Sequence, residues 1–170
     1  MQLISTTLTA LQTSAMNLLA ADVMFSGSVS KNGKSIPIIT EKKKDITQEI
    51  KLCLAQVGIA VLVLTPTFKP HQNLIPDLNG WALITVTIFE DVTVNQGVSG
   101  TGIFAIALAE EIIGVLHAAP HGVLSGATSG NVPPNFWMTE QPLTMIPYAQ
   151  SPLQINTSFQ AHVQLQPVIQ

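Results

Sequence analysis

The fold is decided by residues 81–117, which read WALITVTIFEDVTVNQGVSGTGIFAIALAEEIIGVLH. The first twelve of these residues alternate in polarity, which is typical of a β-strand that buries one face. Threonines and Asp91 occupy odd positions, and the apolar even positions are Ala82, Ile84, Val86, Ile88 and Val92. We therefore predict a strand over residues 81–92.

A glycine-rich loop follows this strand, and an apolar helix follows the loop. Three glycines within residues 97–102 allow backbone angles that other residues avoid, so the strand ends there. Residues 103–116 then contain two ionic side chains, Glu110 and Glu111, among mostly aliphatic ones. This pattern predicts a helix, and the scarcity of polar positions predicts that it is covered on more than one side.

Length and composition point to one domain that associates with other molecules. The chain has 170 residues, and its charged fraction is 10%, well below the ~25% of an average soluble domain. We predict a single domain over residues 1–170. No apolar run reaches the ~18 residues of a membrane-spanning helix, and no signal-peptide pattern begins the chain. We expect a cytosolic protein that has no membrane partner and that buries apolar surface against other copies or partners.

The charges are unevenly distributed along the sequence. All seven basic residues are lysines between Lys31 and Lys69, and arginine is absent. Because arginine provides the bidentate recognition of phosphates and guanine edges, we expect no specific nucleic-acid binding. Lys42, Lys43 and Lys44 form a triplet that is either a solvated turn or a contact with an acidic partner.

The N-terminal part of the chain supplies two further helices. Apolar residues recur at helical spacing within residues 1–20. A second helix is expected over residues 46–57, with Asp45 as its N-cap and Gly58 at its end. Between them, residues 26–35 are rich in Gly, Ser, Lys and Asn, which indicates a turn or a mobile loop.

The remaining segments before and after the central unit are strands and connections. Residues 59–64 form a continuous apolar run, which is typical of a strand buried on both faces. Residues 67–80 contain Pro70, Pro76 and an Asn-Gly pair and indicate a long connection, and residues 118–134 indicate an irregular excursion.

The C-terminal part predicts a hairpin with a long second strand. We expect one or two short strands in residues 136–148 and a turn at residues 149–152. Residues 153–166 then alternate between apolar odd positions and uncharged polar even positions. The polar side of this strand includes Gln160 and Gln164, which are candidate partner contacts.

The glycine-rich loop does not match a known catalytic or nucleotide-binding motif. Residues 97–102 precede a helix, but they lack the Gly-Lys-Ser/Thr ending of a phosphate loop and the spacing of a dinucleotide fingerprint. Ser99 lies in this loop without the flanking pattern of a nucleophile. We assign no catalytic and no cofactor-binding residue.

The histidines and the single cysteine do not form a metal-binding pattern. His117 and His121 have the spacing of half a zinc site, but Pro120 ends the helix between them and no cysteine pair completes the set. Cys53 falls on the apolar side of a predicted helix, where a buried hydrophobic role is expected. We assign no metal ligand, and we predict that the protein is not an enzyme.

The order of motifs resembles that of tail-terminator, or head-to-tail joining, proteins of long-tailed bacteriophages. The resemblance covers about residues 36–166. It is carried by the helix sequence DITQEIKL at residues 45–52, Gly58, the apolar strand that ends at Pro66, ITVTIFED at residues 84–91, NQG at residues 95–97, GTG at residues 100–102, the helix and His117 at residues 107–117, and the closing amphipathic strand.

This resemblance implies a fold and a function. It implies an α+β subunit in which two or three helices pack on a mixed, mainly antiparallel sheet with a long C-terminal strand or hairpin. It also implies a homo-oligomeric ring, commonly of six copies, at the end of the tail tube. Such a virion protein of the tail or neck is assembled in the host cytoplasm and binds other phage tail or neck proteins.

The residues themselves leave two alternatives to this function open. One is a non-enzymatic adaptor or assembly chaperone for another phage protein, and the other is a small hydrolase that uses Ser99 or His117. For a ring subunit, we expect the strand with Gln160 and Gln164 to line a subunit or tube contact. The lysine triplet would then face an acidic neighbour.

Overall fold

A computed structural model describes residues 7–42, 45–70, 79–123, 135–146 and 152–165. Within these residues the chain forms five helices and six strands. The helices are α1 (Thr7–Ala20), α2 (Val23–Ser26), α3 (Ile46–Val57), α4 (Val92–Gln96) and α5 (Ala105–Leu116). The strands are β1 (Ile38–Thr40), β2 (Ile59–Val63), β3 (Thr67–Pro70), β4 (Asn79–Glu90), β5 (Phe136–Ile146) and β6 (Leu153–Gln164).

The strands form one open, mixed sheet. Its order is β1-β2-β4-β6-β5, and β3 also pairs with β4. The β1–β2 pair is parallel, and the other pairs are antiparallel. β4 pairs with β6 over its full length, from Asn79 opposite Gln164 to Glu90 opposite Leu153. The fold is therefore α+β with a mainly antiparallel sheet and long C-terminal strands, as the resemblance implies, and its five helices, two of them short, exceed the two or three expected.

The predicted alternation of β4 is confirmed, with a shift in its boundaries. The even positions from Ala82 to Ile88 are fully buried in the main core. The strand ends at Glu90 because the side chain of Asp91 accepts a hydrogen bond from Val94 N–H and caps α4. The prediction that Val92 belongs to the buried side of the strand is wrong, since Val92 begins α4 and is 47% exposed.

Helices α1 and α5 cover one side of the sheet, which we call the helical face. Fully buried residues of both helices belong to the same core cluster as the even residues of β4: Leu11, Ala15, Leu19, Leu108, Ile112 and Leu116. The apolar sequence of α5 predicts cover on more than one side. In the single subunit, the side toward the sheet and α1 is buried, but Phe104 and Ile106 are 54% and 42% exposed.

Helix α3 packs on the other side of the sheet, at its β2 end. As predicted, Asp45 caps the helix by accepting from Gln48 N–H, and Gly58 ends it in the left-handed region at φ 77°. α3 contacts β2 and β4, and Cys53 of α3 is buried. All five residues of β2 are buried, because α3 covers one side of this strand and the main core covers the other.

The prediction of a connection over residues 67–80 is wrong at both ends, since Asn79 and Gly80 belong to β4. Thr67–Pro70 forms β3, and residues 71–78 lie outside the described part of the chain. Val63 pairs with Val86, and Thr67 pairs with Leu83. An advance of four residues from β2 to β3 therefore corresponds to an advance of three residues along β4. β3 is thus a continuation of β2 after a one-residue bulge, and a four-residue strand of this kind carries little local signal.

The predicted C-terminal hairpin is confirmed as the β5–β6 pair, while residues 149–151 of the turn predicted at 149–152 lie outside the described residues. β5 contains an irregularity, because Met138 pairs with Phe159 but Leu143 pairs with Thr157. Beside β5, Ala118 N–H donates to Phe136 C=O, and Phe136 N–H donates to Ala119 C=O. The start of the predicted excursion therefore lies along the outer edge of the sheet.

We expect Leu108→Asp to unfold the subunit, because it places a carboxylate at a fully buried position of α5. The cost of several kcal/mol is comparable with the whole stability of a small domain. Circular dichroism and solubility after expression provide the measurement. Ala55→Asp, at an exposed position of α3, is the control and is expected to stay folded. A soluble, natively helical Leu108→Asp protein would contradict the burial of α5.

Candidate functional site

The glycine-rich loop is held by a buried carboxylate at the end of β4. Glu90 is 1% exposed, and its Oε2 accepts a hydrogen bond from the backbone N–H of Ala105 at 3.0 Å. Its Oε1 accepts from Nδ2 of Asn95 at 2.6 Å. Because Ala105 is the first residue of α5, the negative charge lies at the positive end of the helix dipole.

Asn95 connects Glu90 to the rest of the loop. Its Nδ2 also donates to Ile103 C=O at 2.7 Å, and its Oδ1 accepts from both the backbone N–H and the hydroxyl of Thr101. A Cβ at Gly58 or Gly100 would collide with the backbone of Asn95. The absence of a side chain at Gly58 and Gly100 therefore allows the backbone to pack closely around the buried Asn95, which is a structural role.

This arrangement occupies the position where a phosphate loop would bind an anion. The N–H group of Ala105 at the start of α5 already donates to the carboxylate of Glu90. The helix terminus thus has an internal anion. Ser99, the candidate nucleophile of the hydrolase alternative, is exposed, and no histidine or carboxylate of the described residues is hydrogen-bonded to it.

A second segment lies against the glycine-rich loop. Lys31 N–H donates to Thr101 C=O at 2.8 Å, and Nδ2 of Asn32 donates to Gly100 C=O at 2.6 Å. Ser30 Oγ donates to the same Thr101 carbonyl. Residues 26–35, which the composition presents as a turn or a mobile loop, therefore form turns that are bonded to the central unit.

The two histidines of the half zinc motif have different environments. His117 Nδ1 accepts from the backbone N–H of Met138 at 3.3 Å, and its ring contacts Trp137 edge to face. His121 is 2% exposed, its Nδ1 accepts from Val123 N–H, and its ring contacts Phe136. No group of three potential metal-ligating side chains occurs among the residues that the structure describes.

His121 has a lowered pKa. The first cause is burial, which disfavours the charged imidazolium, and the neighbouring imidazole of His162 adds a smaller effect in the same direction. The backbone of His162 acts in the opposite direction by hydrogen bonding. His162 is itself 4% exposed and packs edge to face on Trp81.

Among the described helices, α3 is the one that packs on the side of the sheet opposite α1 and α5, and we call the part of this side beyond α3 the open face. Directly paired residues of neighbouring strands point to the same side of a sheet. One cross-strand row consists of Thr67, Leu83, Gln160 and Trp137, on β3, β4, β6 and β5. Leu83 is 44% exposed, so an apolar side chain faces solvent at the centre of this row.

A shallow cleft of about 320 Å³ lies on the open face. Lys69 and Trp81 are directly paired beside the row, and Leu83 and Gln160 lie next to them. The cleft is lined by Thr67, Phe68, Lys69, Trp81, Ala82, Leu83 and Gln160. Among these described lining residues, Lys69 alone carries a charge.

The outward side of α5 is the second uncovered surface. We define this α5 outer surface by the exposed residues Phe104, Ile106, Ala107, Glu110 and Gly114. The neighbouring Glu111 interacts within its own subunit. Burial, and then the charge and hydrogen bond of Asp22, raise the pKa of the Glu111 carboxyl.

The structure places the sequence-predicted contact residues in two regions. Gln160 lies in the central row of the open face, and Gln164 lies at the end of β6 opposite Asn79; both are partly exposed. Lys42 is exposed, whereas Lys43 and Lys44 lie outside the described residues. Lys69, Trp81 and Leu83 are not predicted from the sequence pattern, although large apolar residues at odd positions of β4 are a signal for a second contact face.

No protein-family model matches the chain, and no curated protein sequence matches it. Among the described residues, no helix combines the length and apolar character that crossing a membrane requires.

We expect Glu90→Gln to destabilise the subunit by about 2–4 kcal/mol, because an amide cannot accept all the bonds that the carboxylate accepts. Urea denaturation at one fixed protein concentration provides the measurement. Gln96→Ala is the matched control, since Gln96 Nε2 makes only a 3.5 Å contact with Glu90. A Glu90→Gln variant as stable as the control would show that the carboxylate does not hold the loop.

The free energy of unfolding is expected to fall as the pH is lowered from 7 to 5. His121 binds its proton less readily in the folded state, so the unfolded chain takes up more protons below its ordinary pKa of about 6.5. His121→Phe should therefore flatten the pH dependence, and Val123→Ala, which changes packing but no titrating group, should preserve it. Equal slopes for wild type and His121→Phe, measured by urea denaturation across this pH range, would contradict the assignment.

Proposed function

We propose that the chain is a structural virion subunit that forms a ring at the end of a bacteriophage tail tube, as a tail-terminator or head-to-tail joining protein of the neck. The resemblance of residues 36–166 to that group suggests the biological setting. The α+β fold with a mixed sheet is consistent with it, although fold alone does not assign a function.

The observation that carries the proposal is the open face. An antiparallel sheet commonly packs one side on a core and presents a polar side to water. Here the second side presents Leu83 in the row that ends at Trp137, with Trp81 beside it. Exposed apolar patches on a soluble protein mark interaction sites, and subunits of homo-oligomers cover such patches with other copies.

The proposed role is non-enzymatic and requires no cofactor or metal ion. In support of it, the polar side chains of the glycine-rich loop are engaged with each other, because Glu90, Asn95 and Thr101 bond the loop to α5. A loop of this kind fixes the shape of a subunit. The ring would be assembled in the host cytoplasm and would become part of the virion.

Other tail or neck proteins are the proposed partners at the two rims of the ring. Lys42, Lys43 and Lys44 are the proposed contact with an acidic neighbour, and Lys42 is exposed in the turn before α3. A lysine cluster accelerates association with an acidic surface and loses this effect at high salt.

Light scattering after size exclusion, followed by electron microscopy, tests the proposal. We expect a closed ring with a mass of about 109 kDa for six copies, six times the subunit mass of 18.1 kDa. A monomer or dimer at all concentrations would contradict the ring and would favour the adaptor alternative.

The double variant Gln160→Lys with Gln164→Lys should assemble poorly while remaining folded. Every copy would place the added charges in the same contact, where desolvation and repulsion oppose association. Ala55→Lys with Gln56→Lys adds the same charge at exposed positions of α3 and serves as the control. Normal rings from the first variant would show that β6 is not part of the contact.

A further inference from the structure

We propose that neighbouring copies associate head to tail, with the α5 outer surface of one copy on the open face of the next and Glu110 beside Lys69. This inference rests on the proposed ring and names the surfaces that would form it.

The two surfaces lie on opposite sides of the subunit. Leu108 and Ile112 of α5 pack in the core cluster with Ala82 and Ile84, on the helical face. Leu83 alternates with these two β4 residues and therefore points the other way. A contact that uses one surface from each copy joins unlike patches, and repetition of such a contact produces a ring when the rotation closes.

The apolar components of the two surfaces are complementary. Phe104 and Ile106 project from the beginning of α5 and are 54% and 42% exposed. The cleft on the open face is bordered by Trp81 and Leu83 and has room for one aromatic side chain. Packing Phe104 into this cleft would bury apolar surface from both copies, which is the main favourable term in association.

The charges of the two surfaces are also complementary. Lys69 is the charged residue among those that line the cleft, whereas α5 contains two carboxylates and no basic residue. Asp22 engages Glu111 within the subunit, so Glu110 is the carboxylate that the α5 outer surface presents outward. An ion pair at the rim of an apolar contact selects orientation more than it adds affinity.

The same charges oppose a two-fold contact between identical surfaces. If two open faces met, Lys69 of one copy would approach Lys69 of the other, and two α5 outer surfaces would bring Glu110 residues together. Like charges across an interface disfavour the wrong arrangement. The charge pattern therefore favours a second copy of this chain in the head-to-tail orientation.

Charge reversal tests the contact. Lys69→Glu and Glu110→Lys should each raise the protein concentration needed for half-maximal assembly by about tenfold or more, since each places like charges together in every contact. Both positions are exposed, so the melting temperature of the subunit should change little. Lys51→Glu and Glu140→Lys, at exposed positions of α3 and β5, are the matched controls and should assemble normally.

Two combinations make the test specific for the pairing. The double variant Lys69→Glu with Glu110→Lys should regain assembly to within about threefold of wild type. An equimolar mixture of the two single variants should also assemble, because alternating copies restore an opposite-charge pair at every contact of an even-numbered ring. Light scattering and electron microscopy report both outcomes.

The possible failures are distinguishable. A wild-type protein that never assembles contradicts both the ring and this contact. Wild-type rings together with unaffected single variants leave the proposed function standing and overturn the contact. Single variants that are defective and are not rescued by the double variant or the mixture show that the two residues face something other than each other, such as a different protein.

Discussion

The structure depends on one buried charge, the Glu90 carboxylate between the end of β4 and the beginning of α5. An ion at 1% exposure is costly unless it is paired or hydrogen-bonded, and here the first N–H of the helix and the amide of Asn95 supply the bonds. The same asparagine accepts a hydrogen bond from the hydroxyl of Thr101, and the backbone C=O of Thr101 accepts one from the N–H of Lys31. The direction of the central helix relative to the central strand is thus fixed by a polar junction, while the apolar residues of both elements fill the core beneath it.

That junction also determines which surfaces remain for association. With α5 held along the helical face, its buried side meets β4 and β6, and its other side carries Phe104, Ile106 and Glu110 outward. Among the described helices, α3 covers the opposite side of the sheet toward β2, and Leu83 on that side is 44% exposed. α1 and α5 cover one side of the molecule and α3 covers part of the other, so the two sides differ. An assembly in which each copy binds the next in the same way needs two different surfaces on each copy.

The sequence predicts the elements with strong local patterns and misses those that depend on distant partners. β4, α5, β6 and the Asp45 cap of α3 follow from periodicity and capping chemistry. β3 was not predictable because its four residues are defined by pairing with β4 beyond a bulge. Glu90 beside Asp91 resembles an exposed acidic pair, and its burial depends on an N–H group fifteen residues later. The open face was missed because buried even positions of β4 dominate the pattern, while Trp81 and Leu83 lie on the other side.

The edges of the sheet bear on whether copies of the chain can aggregate by strand pairing. Unpaired strand edges are templates for fibres, since any extended chain can add to them. On one side the edge strands of the described sheet are β1 and β3, which are only three and four residues long. On the other side β5 is bonded to Ala118 and Ala119 near its start and then departs from regular pairing around Pro142. These short and irregular edges disfavour unlimited edge-to-edge aggregation of copies by strand pairing. Association through faces would close in the proposed ring, and the irregular outer strand limits the competing route of edge-to-edge growth.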